Sequence, residues 1–193
     1  MTKIIGLTGG IGSGKTTVAR QFESFGIPIY IADEEAKKIM ELPDVIENIK
    51  TVFGNEIFDN AKLNRQILAK IVFNDKEKLQ ELNKIVHPKV KSHFDKWLIE
   101  NKSAPIVIKE TALLFETGSE MNFDSIITVT APLAIRIQRV IERDKIDNEA
   151  VLNRINNQIS DDIKIAKSNF VIHNDNLQSL TKQVKNIYNQ LLN

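Results

Sequence analysis

Residues 4–19 read Ile-Ile-Gly-Leu-Thr-Gly-Gly-Ile-Gly-Ser-Gly-Lys-Thr-Thr-Val-Ala, and this stretch decides the fold. Ile4 to Thr8 is a short apolar run closed by glycines, the pattern of a buried strand. Gly9 to Thr16 fits G-x-x-x-x-G-K-[ST], in which successive backbone N–H groups turn inward around a phosphate at the positive end of the following helix. Val18, Ala19, Phe22 and Phe25 then recur at helical spacing, and Gly26 stands where a helix C-terminal cap belongs. Strand, glycine loop and helix in this order predict a nucleoside triphosphate site. Gly10, Ile11, Gly12, Ser13, Gly14, Lys15, Thr16 and Thr17 would surround the phosphates. Lys15 would reach the outer ones, and the Thr16 hydroxyl suits a magnesium ion.

Working outward, Ile27 to Ala32 reads as a second strand ending at Asp33, followed by a charged helical stretch from Asp33 to Met40. Pro105–Lys109, Ser125–Thr130 and Asn169–Ile172 are further strand candidates, and a closing helix runs from about Leu177 to Leu192. Strands alternating with helices predict an α/β fold, a parallel sheet covered on both faces. Between the second and third strands lie about seventy residues, Asp33 to Ala104, too many for a simple crossover. Their helical patterning, around Leu63–Phe73, Lys76–Val86 and Val90–Glu100, predicts a helical insertion able to close over a substrate.

The composition removes several classes of function. The 193 residues carry 26 Lys plus Arg against 25 Asp plus Glu, a net charge of +1 that gives no ground for bulk affinity to nucleic acid or membrane. No apolar run approaches the ~20 residues of a membrane helix, and the glycines break any signal-peptide pattern at the start. Without cysteine there is no disulfide, zinc–thiolate site or thiol nucleophile. The cytoplasm is the expected compartment.

Two concentrations stand out. Five of the eight glycines lie between Gly6 and Gly14, and Arg136, Arg139, Arg143 and Arg154 are four of only six arginines. Pro132 suits the first turn of a helix. Along that helix Arg136, Arg139 and Arg143 fall at i, i+3 and i+7 and share a face. Three like charges on a stripe are either a solvated face or a phosphate clamp, and the scarcity of arginine elsewhere favours the clamp. Arg154 and Gln158, four apart, would complete it. Glu110, closing an apolar strand, reads as a ligand for magnesium or its water, or else as a solvated strand end. Asp33 reads equally well as a proton acceptor at the carboxyl edge of the sheet and as a helix cap. His87 and His93 lack the company of a metal site, and Trp97 reads as packing.

Together these segments resemble the dephospho-coenzyme A kinase family, nearly end to end. The likeness runs through LTGGIGSGKTTVA (residues 7–19), GIPIYIAD ending in Asp33, LNRQILAKIVF (Leu63–Phe73) and LNKIVHPKV (Leu82–Val90). It continues through ALLFE (Ala112–Glu116), VTAP before the arginine helix, and Arg154-Ile155-Asn156-Asn157-Gln158. The glycine loop is shared by many unrelated enzymes, so the insertion segments carry the discrimination.

The resemblance implies a five-stranded parallel P-loop kinase core over 1–33 and 105–193, with a helical lid at about 136–160. It implies a helical coenzyme A insertion over 34–104. It also implies ATP with magnesium, and transfer of a phosphoryl group to the ribose 3′-hydroxyl of dephospho-coenzyme A. Asp33 would then be the base, Lys15, Arg139 and Arg143 the charge-stabilising groups, and Thr16 with Glu110 the magnesium ligands. The family usually has aspartate and proline where this chain has Glu110 and Ala112. The expected partner is the small-molecule substrate alone, with neither nucleic acid nor membrane, and the expected state is a monomer. A nucleoside or nucleotide kinase is the alternative. A GTPase switch lacks its Asp-x-x-Gly and Asn-Lys-x-Asp signatures here, and a non-catalytic scaffold would not need the intact lysine, hydroxyl and acid.

Overall fold

A computed structural model describes residues 2–60 and 62–192, without the side chains of Phe73 and Asn74. Met1, Ala61 and Asn193, expected in the core, the insertion and the core, lie outside the described residues, as does the Phe73 side chain at the end of the Leu63–Phe73 stretch. The chain divides into two units, one running to Ile31 and resuming at Glu100, the other Ala32–Ile99.

The first unit opens with β1 (Lys3–Thr8), α1 (Lys15–Glu23) and β2 (Ile29–Ile31). The second contains α2 (Ala32–Ile39), α3 (Pro43–Phe53), the short strands β3 (Phe58–Asp59) and β4 (Lys62–Leu63), α4 (Arg65–Asn74) and nearly all of α5 (Lys76–Glu100). The first unit then resumes with β5 (Ile106–Glu110), β6 (Ser125–Thr130), α6 (Leu133–Asp144), α7 (Asn148–Asn156), α8 (Asp161–Ala166), β7 (Phe170–His173) and α9 (Leu180–Leu192).

The five longer strands form one sheet in the order β2-β5-β1-β6-β7, every neighbouring pair parallel. The predicted α/β class and five-stranded parallel sheet are therefore present. Strands in such a sheet are covered on both faces, which is why they are rich in isoleucine and valine rather than alternating. Ile5 and Leu7 of β1 pack with Val18, Ala19 and Phe22 of α1 and with Val184, Ile187 and Leu191 of α9. On a separate cluster Leu114 and Phe115 pack with Ile126, joined by Phe123 and Ile159. A Cβ on Gly6 would stand 3.1 Å from the Phe123 ring, so this strand needs a residue without one.

The second unit has its own core of Ile39, Val45, Ile49, Phe53, Ile57, Leu68 and Val72, against which Leu82, Ile85 and Val90 of α5 pack. Asn64 caps α4, its side chain accepting from the Gln66 and Ile67 amides at 3.1 Å each. No helix of the described residues is long and apolar enough to cross a membrane.

Four expectations are corrected. The second strand is three residues long, and the chain enters α2 at Ala32, so Asp33 lies in a helical first turn rather than at a strand end. As Ala32 is already helical, Asp33 is also past the N-cap position, and its charge faces the positive end of the helix. The unit boundaries fall at 31/32 and 99/100 rather than at 33/34 and 104/105, which moves Asp33 into the helical unit. Lys76–Val86 and Val90–Glu100 are one helix, α5, which runs through Pro88 at an exposed position. Leu63 belongs to the β3–β4 hairpin rather than to α4.

Candidate active site

The glycine loop joins β1 to α1. Gly9, Gly12 and Gly14 have φ of 151°, 79° and 92°, the left-handed region that side chains resist. Gly10 and Gly12 answer a second need. A Cβ on Gly10 would overlap the Arg136 guanidinium, and one on Gly12 would overlap the Arg136 backbone carbonyl. The loop is therefore seated on the first turns of α6.

Ile11 is held at both its backbone groups. Its N–H donates to Gln158 Oε1 at 2.8 Å, and its carbonyl accepts from Arg136 Nε at 2.9 Å. Arg136 is 6% exposed and pairs through Nη1 with Asp161 at 2.9 Å, while the other Asp161 oxygen accepts from Thr130 Oγ1 at 2.8 Å. On the far side, Asn174 Nδ2 donates to the Ser13 carbonyl at 2.8 Å. Arg139 Nη1 lies 3.4 Å from the Gly12 and Ser13 carbonyls, and its Nη2 donates to the Asn174 carbonyl and Asn176 Oδ1.

The Ser13 amide closes a turn onto the Gly10 carbonyl at 3.1 Å, and the first bond within α1 is Val18 N–H to the Gly14 carbonyl. Lys15, Thr16 and Thr17 thus supply the first amides of α1, at the positive end of the helix, the arrangement that receives an anion. Lys15 Nζ donates to the Gly9 carbonyl at 3.1 Å, so the ammonium lies along its own loop. Thr16 and Thr17 are exposed in the first turn of α1. Among the described residues the fully buried hydroxyls of Thr8 and Ser13 find no hydrogen-bond partner.

Glu110 ends β5 in register with Leu7 of β1 and Ile31 of β2 and is only 2% exposed, so the solvated strand end is ruled out. A hydroxyl at Thr16 and a carboxylate at Glu110 are hard oxygen donors. Magnesium takes one or two such protein ligands and completes its shell with phosphates and water, and this donor set fits it. No cluster of three or more His, Asp or Glu able to hold a metal occurs among the described residues.

The three arginines of the stripe have different surroundings. Arg136 is buried between the Ile11 carbonyl and Asp161. Arg143 folds onto Asp144, with Nε and Nη2 at 2.7 and 3.0 Å from its two oxygens, and keeps 62% of its side chain exposed. Arg154 reaches the same carboxylate at 2.8 Å. The bonds from Arg143, and then the nearby Arg154, hold the Asp144 carboxyl below the usual carboxylate range, and Asp144 raises Arg143 in turn. Gln158 lies beyond the end of α7, in the turn that leads to α8.

A buried ion pair lies behind this layer. Lys164 of α8 is fully buried, with Nζ 2.8 Å from Glu116 Oε1 but without hydrogen-bond alignment, and the same oxygen accepts from the Ile159 amide at 3.0 Å. In the helical unit Asp33 is exposed in the first turn of α2. His93 Nδ1 stands 3.9 Å from Glu35, and Trp97 stacks on Phe94 with ring centroids 5.9 Å apart, so its packing role holds.

Asp161, Thr130, Asn174, Asn176, Glu116 and Lys164 were not singled out from the sequence as site residues. A partial signal existed for two of them: Ser160 before Asp161-Asp162 is a helix start, and Asn174 follows the last strand.

A family model described as dephospho-CoA kinase matches residues 3–179. The dephospho-CoA kinase of Fusobacterium nucleatum is 44% identical over 184 residues, 94% of this chain and 95% of that one. That of Bacteroides fragilis is 39% identical over 181 residues, 93% and 88% of the two chains. Among solved structures, a Thermus thermophilus protein superposes with a TM-score of 0.87 at 35% identity, covering 99% of this chain and 96% of that one. Dephospho-CoA kinase from Campylobacter jejuni gives 0.63 at 25%, covering 98% and 97%. A shikimate kinase from Acinetobacter baumannii, at 0.53 and 16%, covering 100% and 94%, shares the fold alone.

Proposed function

The chain belongs to the dephospho-CoA kinase family, and from that premise we propose that it transfers the γ-phosphoryl group of ATP to the ribose 3′-hydroxyl of dephospho-coenzyme A, giving coenzyme A and ADP. The observation that carries this reading is the extent of the likeness. It spans the helical unit as well as the glycine loop, with 44% identity across 94% of the chain. A nucleoside or nucleotide kinase would share the loop but not that unit, and this alternative is not favoured.

In the reaction the 3′-oxygen forms a bond to the γ-phosphorus while the bond from phosphorus to the β,γ-bridging oxygen breaks, and ADP departs. The transition state is loose, so positioning and charge neutralisation do most of the work. Gly10 to Thr17 form the cradle: Ile11 and Ser13 serve as its frame, and the amides at the head of α1 meet the phosphates. Lys15 neutralises the outer phosphates. Arg139, placed against the loop carbonyls, and Arg143, at the exposed end of α6, act from the lid over residues 136–160. Asp33 orients the hydroxyl and takes its proton. Thr16 and Glu110, directly or through water, would hold magnesium, which would supply neutralisation of phosphate charge. The reading keeps the cytoplasm as compartment and a monomer as the working state.

The test is ADP release with ATP and magnesium across dephospho-coenzyme A, nucleoside monophosphates, shikimate and no acceptor. Dephospho-coenzyme A should be preferred, and a preferred nucleoside monophosphate would overturn the assignment.

A further inference from the structure

Ile11 stands at the crest of the glycine loop, and side chains from distant parts of the chain take both of its backbone groups. One is Gln158, 147 residues away in sequence, through the amide at 2.8 Å. The other is Arg136, 125 residues away, through the carbonyl at 2.9 Å. Neither partner is free to drift. Arg136 is buried and pinned by Asp161, which is itself bonded to Thr130 at the end of β6. The residue after Gln158, Ile159, donates its amide to Glu116, and Glu116 pairs with the fully buried Lys164. Gln158 is therefore anchored from behind by an ion pair, while its amide oxygen faces the loop.

A glycine-rich loop has many conformations to lose. Glycine carries the largest backbone entropy of any residue, and a loop that orders only when phosphate arrives weakens binding by that ordering cost. A loop already held at its crest loses less on binding.

We propose that Gln158 is a positioning residue. It presets the phosphate loop by holding the Ile11 N–H, and the Glu116–Lys164 pair fixes the turn that presents it. Gln158 touches no reacting atom, and Ile11 serves the nucleotide by holding its place rather than by donating to phosphate. The proposal rests on the phosphoryl-transfer reading only in its kinetic arm. Its binding arm needs nothing but a nucleotide diphosphate.

Gln158→Met tests this, because it keeps the length and volume of a half-buried side chain and removes the acceptor. Three measurements on the full chain belong together: hydrogen exchange at the Ile11 amide by NMR, ADP affinity by calorimetry, and KM for each substrate. The variant should lose Ile11 protection and bind ADP roughly 3- to 10-fold more weakly, the span of one hydrogen bond's net contribution. KM for ATP should rise by a similar factor, with KM for dephospho-coenzyme A and the melting temperature near wild type. Unchanged ADP affinity alongside lost Ile11 protection would overturn the positioning role. A matching rise in both KM values with a fall in melting temperature would also overturn it, reducing Gln158 to general packing. If the wild type binds ADP but does not phosphorylate dephospho-coenzyme A, the functional reading fails while the ADP comparison still decides the role of Gln158.

Discussion

The sheet unit and the helical unit use polar groups in opposite ways. Around the glycine loop, Arg136, Asp161, Gln158, Asn174, Glu116 and Lys164 form short contacts between residues far apart in sequence, and two of them, Arg136 and Lys164, are buried. In the helical unit the apolar cluster of Ile39, Val45, Ile49 and Phe53 supplies the core, and the ion pairs Lys89–Asp44 and Lys91–Asp95 lie on the surface. Hydrophobic packing is non-directional and suffices to hold helices together. A backbone loop that must keep its amides aimed needs directional partners, and burial makes those partners costly to disturb.

The sharpest way to break that contrast is at Lys164. Lys164→Ala should cost about 3–5 kcal/mol of stability, because Glu116 is left buried without its cation. Lys164→Met, which fills the space, should recover much of this only when combined with Glu116→Gln. Urea denaturation of the three proteins measures it, and a single Lys164→Ala variant as stable as wild type would show that the pair is incidental.

Next in size are two variants read by activity. Lys15→Ala should lower turnover about 10²- to 10³-fold, the cost of one charge-stabilising donor, with little change in melting temperature. Asp33→Asn should lower turnover about 10²-fold with the fold intact, measured at saturating ATP and dephospho-coenzyme A. Turnover within about threefold of wild type would leave Asp33 only its favourable place at the positive end of α2.

A smaller effect should appear in acid. Asp144 is held below the usual carboxylate range by Arg143 and then by Arg154. Its contribution is therefore present above the ordinary value of 3.8 and is lost as pH falls through its lowered native value. Asp144→Asn should flatten the fall in melting temperature below about pH 4, and an unchanged acid limb would count against the pairing. The smallest effect belongs to the other unit: Lys89→Ala removes an exposed partner of Asp44 and should leave the melting temperature unresolved from wild type.

The same contrast explains what could be read from the sequence. Strand cores such as Ile106-Val107-Ile108 and Ser125–Thr130 declare themselves locally, and so does a loop whose residue types are dictated by phosphate. The start of α2 at Ala32 was hidden because an apolar run continues straight into the helix with no punctuating residue. The β3–β4 hairpin was missed because its strands are two residues long, although Asp59-Asn60, with Asn60 at φ 48°, carried a turn signal. Arg136 was legible as an arginine on a helix face, but its burial depends on Asp161 and Ile11, which helical periodicity cannot reveal. Gln158 looked like a helical partner of Arg154, yet α7 stops at Asn156 and the side chain goes to the loop instead.

The strand order has a consequence for how the molecule comes into being. β1 lies at the centre of the sheet, yet both its neighbours, β5 and β6, emerge from the ribosome more than ninety residues later. About 75 residues separate β2 from its partner β5, and at a synthesis rate of about 5–20 residues per second the interval is roughly 4–15 s. Throughout it Ile5 and Leu7 have no strand to pair with, while the intervening helical segment has its own apolar partners nearby in sequence. The nascent chain thus carries an exposed, aggregation-prone strand for seconds, and translation pausing before Ile106 would lengthen that exposure.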